Sequence, residues 1–61
     1  MNKSQLKQIE MVKIYLANGM VDTSARSVSA LIRSAMSAKS RNALMAFATE
    51  NGLVNHSEFI V

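Results

Sequence analysis

Acid–base or nucleophilic chemistry needs reactive side chains held against one another, and this chain offers few of them. Its acids are Glu10, Asp22, Glu50 and Glu58, and its one histidine is His56. No two carboxylates fall three or four residues apart, so no helix brings a pair together. His56 and Glu58 are two residues apart, which joins them only in an extended segment. Of the eight serines, none lies in a Gly-x-Ser-x-Gly turn. Most sit where a helix would start or on a polar helix face. No cysteine is present, so neither disulfides nor thiolate metal sites are possible, and one histidine does not make a zinc site. Glycine-rich phosphate loops and calcium loops are also missing. The expectation is a protein that is not an enzyme and carries no cofactor and no metal.

The basic residues are more informative. Between Asp22 and Glu50 there is no acid, while Arg26, Arg33, Lys39 and Arg41 all lie in that interval. On a helix, Arg26, Ser29, Arg33 and Ser37 share one face, at spacings of three, four and four. Lys39 and Arg41 continue the charge beyond it. Arginine grips phosphate with a planar fork, and serine hydroxyls add neutral contacts. The net charge of +3 and a pI near 9.8 point the same way. The first expectation is therefore a small nucleic-acid-binding (DNA-binding) or regulatory accessory protein, with Arg26, Ser29, Arg33, Ser37, Lys39 and Arg41 as its contact residues. The alternative is a protein–protein interaction module, an adaptor or small inhibitor presenting an apolar helix face. Met11, Met20, Met36 and Met45 are flexible enough to suit such a surface. A membrane-surface peptide ranks last, because the basic helix lacks tryptophan and phenylalanine anchors.

These residues need elements to carry them. Sixty-one residues make one domain, 1–61. An aliphatic, alanine-rich chain without proline favours helices. The only glycines, Gly19 and Gly52, both follow asparagine and precede an aliphatic pair, as expected of two helix stops. Their 33-residue spacing also admits an internal duplication, although two copies are too few for a solenoid. The pattern predicts an all-α, compact three-helix module with helices at about 5–18, 23–37 and 41–51 and a tail over 53–61.

Helix one has a capping-box spacing at Asn2 and Gln5 and a stripe of Leu6, Ile9, Val12 and Leu16. Met11, Ile14 and Tyr15 extend its apolar surface round the other side. A helix apolar over most of its circumference is buried on more than one side, and a chain this small has little protein to do that burying. A homo-oligomer, most simply a homodimer, is expected through Ile9, Met11, Val12, Ile14, Tyr15 and Leu16. The alternation of Val12, Ile14 and Leu16 with Lys13 also admits a strand over Met11–Leu16.

Helix two has Asp22 or Thr23 as its cap and buries Val28, Leu31, Ile32 and Ala35. Helix three, capped by Ser37 or Ser40, buries Leu44, Phe47 and Ala48. Ala38 and Lys39 are poor breakers, so the join between helices two and three is either a gap or a kink. Asn55 to Glu58 repeats the capping-box spacing. The closing Phe59-Ile60-Val61 either docks on the core or pairs with another chain as a strand.

Neither likeness to known DNA-binding motifs extends far. The helix-turn-helix template fails in both glycine registers. Ser29–Met36 resembles the second helix of ribbon–helix–helix repressors over eight residues, but no strand precedes it where that family has one. No apolar run approaches about 18 residues, and Glu10 and Lys13 interrupt any signal peptide, so no membrane association and a cytoplasmic location are expected.

Overall fold

The computed structural model describes residues 1–61, which form three α-helices and a short 3-10 turn: α1 (Lys3–Ala17), α2 (Val21–Ser34), α3 (Ala38–Glu50) and η1 (Leu53–Asn55). No strand is present, and Met11–Leu16 lies wholly within α1. The strand reading fails because Ile9 and Val12, three residues apart, are the α1 side chains that reach the core. The eight-residue likeness to ribbon–helix–helix repressors therefore has no strand to accompany it.

Local chemistry sets the helix ends. At the start of α1, the Asn2 side chain accepts from the Gln5 backbone N–H at 2.8 Å, and Gln5 Oε1 accepts from the Asn2 N–H at 3.0 Å. This is the reciprocal cap expected of that spacing. At the other end the Gly19 N–H donates to the Leu16 carbonyl at 3.1 Å and the Met20 N–H to the Tyr15 carbonyl at 2.8 Å. Together they close a Schellman motif around Gly19, whose φ is +72°. Gly52, at φ +69°, ends α3, and its N–H donates to Thr49 at 3.1 Å. In both stops the preceding asparagine, Asn18 or Asn51, donates its side-chain amide to the carbonyl four residues back at 2.8 Å.

The aliphatic residues after the two glycines pack differently. Leu53 is fully buried, whereas Met20 and Val21 are each 41% exposed. The stops share their chemistry without sharing their packing. A β-carbon at Gly19 would meet nothing within 4 Å, so only backbone strain opposes one. Gly19→Ala should therefore cost about 1 kcal/mol and lower Tm by about 4–8 °C, as read by a circular-dichroism melt.

α2 begins at Val21, earlier than the cap at Asp22 or Thr23 would place it. Met20 occupies the cap position without a side-chain hydrogen bond, and Asp22 stands in the first turn. There the carboxylate faces the positive end of the helix dipole. α2 also ends earlier than expected. Ala35 turns to extended backbone, and Ser37 is the N-cap of α3, accepting from the Ser40 N–H at 3.1 Å. The join is thus a real gap over residues 35–37, and α3 starts at Ala38 rather than near 41.

α2 is the hub. It packs against α1 on one flank and against α3 and η1 on the other, while α1 and α3 do not pack on each other. The core is Ile9 and Val12 from α1, Ala25, Val28 and Ile32 from α2, Leu44 and Ala48 from α3, and Leu53 from η1. Tyr15, Leu16, Leu31, Ala35, Phe47 and Phe59 pack around it half-buried.

The capping-box spacing at Asn55–Glu58 starts no α-helix: Asn55 ends η1 and residues 56–58 are a turn. The Glu58 N–H instead donates to His56 Nδ1 at 3.0 Å, and the Phe59 N–H to the His56 carbonyl at 3.0 Å. These bonds turn the chain back so that residues 58–60 lie along α2. The tail docks rather than offering a free strand edge. No helix is long and apolar enough to cross a membrane.

Candidate nucleic-acid interface

The expected basic stripe on α2 is largely occupied by the tail. Ser29 is buried, not open to solvent: its hydroxyl donates to the Ala25 carbonyl at 2.7 Å and accepts from the Ile60 N–H at 2.9 Å. The Glu58 carbonyl stands 3.4 Å from the same oxygen. Ser29 therefore pins the tail and cannot contact a phosphate. Beside it, Arg26 pairs with the Glu58 carboxylate at 3.2 Å. Arg33 donates from Nη1 to the Ile60 carbonyl. The acid-free interval in the sequence thus acquires an acid in space. The Arg26–Glu58 pair is about half exposed on both sides, so its attraction is screened and a competing phosphate can replace it. Ser37 is exposed, but as the cap of α3 it is not on the α2 face at all.

Lys39 and Arg41 stand free in the first turn of α3. The topology brings further cations to them. α3 starts three residues after α2 ends, so Arg33, Lys39 and Arg41 share one end of the molecule. α1 and α2 are joined by a tight turn, so the start of α1 returns to that same end. A groove lined by Asn2, Ser4, Gln5 and Gln8 on one side and by Ser27, Leu31 and Ser34 on the other shows the two in register. Lys3 and Lys7, in the first two turns of α1, therefore join Arg33, Lys39 and Arg41. Five cations from three helices thus lie toward one end of the molecule, although α1 and α3 do not touch.

Most of the acidic side chains lie elsewhere; Glu10, one helical turn from Lys7, is the exception. Asp22 starts α2 and Glu50 ends α3, each roughly 17 Å along its helix from the basic pole at 1.5 Å per residue. Glu10 is paired with Lys13 at 3.4 Å, and Glu58 with Arg26. The cations at the helix starts also run against local stability. α1 and α3 have no acid in their first turn, where the dipole favours one, and carry Lys3, Lys39 and Arg41 there instead. α2, with Asp22 first and Arg33 last, has the favourable order. Lys3 and Lys7 were not among the residues expected to bind. Their signal in the sequence was the missing acid at a helix start.

The residues expected at an oligomer interface divide between two roles. Ile9 and Val12 belong to the core of the single chain, Ile9 7% exposed and Val12 fully buried, and offer nothing to a second copy. Tyr15 and Leu16 are half-buried beside them. Met11 and Ile14 face outward, 43% and 53% exposed, and Leu6 is 49% exposed. α1 thus has one apolar side used internally, and on its outward side Leu6, Met11 and Ile14 stand exposed among Lys3, Lys7 and Glu10. His56 is tied to the Glu58 backbone rather than to its carboxylate, and no cluster of three or more metal-ligating side chains exists.

No protein-family model matches this chain, and comparison with curated proteins and with solved structures gave no match.

Proposed function

We propose that the chain is a small nucleic-acid-binding accessory protein that engages phosphates through its basic pole rather than along the face of α2. One observation supports this reading: the helix ends that carry Lys3, Arg33, Lys39 and Arg41 share one end of the molecule, and Glu10, the nearest acid along α1, is paired with Lys13. Cations at two helix starts reduce the stability of a fold this small. Phosphate is the ligand that turns that arrangement to advantage, since charge and amide groups there attract it together.

Anisotropy of a labelled oligonucleotide at rising salt tests the reading. Each phosphate neutralised contributes about −0.9 to the log–log slope on duplex and about −0.7 on single strands. Lys39→Ala/Arg41→Ala should reduce the slope by about two and weaken binding roughly tenfold. Arg26→Ala should change it less, because Glu58 already holds that side chain. Absence of binding at low salt, on duplex and single strand alike, would discard the proposal.

The outward side of α1 supports a second reading, a protein-interaction surface. Leu6, Met11 and Ile14, with Met20 and Val21 at the α1–α2 turn, are large apolar side chains, each at least 41% exposed. Its occupant is a larger protein or a second copy of this chain. That contact would show weak salt dependence and would fail in Met11→Glu/Ile14→Glu, whose substitutions leave the core side of α1 intact.

A further inference from the structure

We propose that the groove between the start of α1 and the end of α2 receives an unpaired nucleobase, which makes single-stranded nucleic acid the preferred ligand of the basic pole. This rests on the phosphate-binding reading above and adds a second kind of contact to it. The groove has a volume of about 450 Å³, within the range of small-molecule sites, and is open along one side. No ionisable side chain lines it.

Three features match a base. First, the lining carries amides and hydroxyls able both to donate and to accept, as the Watson–Crick edge of a base requires. The Gln8 amide and the Ser4 and Ser27 hydroxyls have no protein partner. Gln5 spends only Oε1 on the helix cap, which fixes its position and leaves Nε2 to donate. Second, there is apolar surface for the face of the ring. Leu31 is half-buried on the floor, and Met36 on the α2–α3 link is 96% exposed at the rim. A thioether is a favourable neighbour for an aromatic ring. Third, the cations flank the groove without entering it. Lys3 and Lys7 neighbour Ser4 and Gln8 in the chain, and Arg33, which also donates to the Ile60 carbonyl, neighbours Ser34. A backbone held by these cations passes the mouth of the groove with its bases free to turn in. Duplex bases are stacked and paired, so a duplex gains only the phosphate contacts. An acidic peptide would carry its charge on the side chains that enter, and an uncharged groove gives those no counterion.

The experiment compares three labelled ligands of about twelve nucleotides: a mixed-sequence single strand, an abasic strand of equal charge, and a duplex. The wild-type protein should bind the single strand about fivefold tighter than the abasic strand, the effect of one or two net hydrogen bonds to the base. Ser27→Leu, which fills the groove, and Gln8→Ala, which changes only an exposed side chain, should each bring the single strand down towards the abasic value and leave the salt slope unchanged. Equal affinity for single and abasic strands, or a preference for duplex, would overturn the groove assignment and leave the basic pole standing. No binding of any of the three would remove both. Polyglutamate of equal charge, bound as tightly as the single strand and equally weakened by Ser27→Leu, would overturn the assignment in favour of a peptide groove.

Discussion

Leu44→Ala should leave much of the chain unfolded at room temperature. Leu44 is fully buried on α3, in the one cluster that joins all three helices and η1. Truncating a buried leucine costs about 2–5 kcal/mol, the larger values where neighbours cannot collapse into the space. A domain of this length has roughly 3–9 kcal/mol of stability in total, at 0.05–0.15 kcal/mol per residue. The chain has no cysteine for a disulfide and no cluster of metal-ligating side chains to make up the difference. Even the lower figure should lower Tm by about 10 °C. A circular-dichroism melt in parallel with wild type reads this directly. A variant that melts within two or three degrees of wild type would mean that the core is not organised around α3.

Ser29→Ala should cost about 1–3 kcal/mol and loosen the tail. The change removes a hydroxyl that donates to Ala25 and accepts from Ile60, in a position sealed from water. The Ala25 carbonyl keeps its place in α2, so most of the cost falls on the Ile60 N–H, which loses its acceptor. The Arg26–Glu58 pair is too exposed to hold the segment alone. Amide hydrogen exchange is the sharpest measurement. The Ile60 amide should lose protection in the variant, while amides in the middle of α2 change only in step with global stability. Unchanged protection at Ile60 would mean that Phe59 packing, not Ser29, seats the tail. A loosened tail also frees Arg26 and Arg33, so oligonucleotide affinity should rise as stability falls, a combination that general unfolding does not produce.

The elements were legible in the sequence because each rests on local chemistry. The Asn2–Gln5 cap, the two Asn-Gly stops and the apolar spacing of α2 and α3 involve residues within one or two helical turns. Where a boundary was misplaced, no strong local signal existed. Ala35 and Met36 do not break helices, and the gap there arises because Ser37 caps α3 and the core draws α3 across α2. The binding site was less legible, since long-range contacts decide it. Ser29 and Arg26 had the right types and spacing for a phosphate-binding face, but partners 31 and 32 residues away, Ile60 and Glu58, engage them. The same holds in reverse for Lys3 and Lys7. Only the return of α1 alongside α2 brings them to the same end of the molecule as Lys39 and Arg41, and no pattern along the chain measures that distance. The excess of apolar residues on α1 was legible, but which of them the core would claim depended on how α1 lies against α2: Leu6, expected in the stripe with Ile9 and Val12, stays exposed.

That α1 and α3 each lean only on α2 has a kinetic consequence. Every pair of packed α-helices in this protein is adjacent in sequence, so those docking steps close short loops at small entropic cost. Such low-contact-order bundles fold in microseconds to milliseconds. The distant closures are η1, whose Leu53 reaches the α2 side of the core, and the tail, which crosses back over about thirty residues to Ser29. The helices should therefore assemble first and the tail last, which leaves Arg26 and Arg33 uncovered at every moment before the chain is fully native.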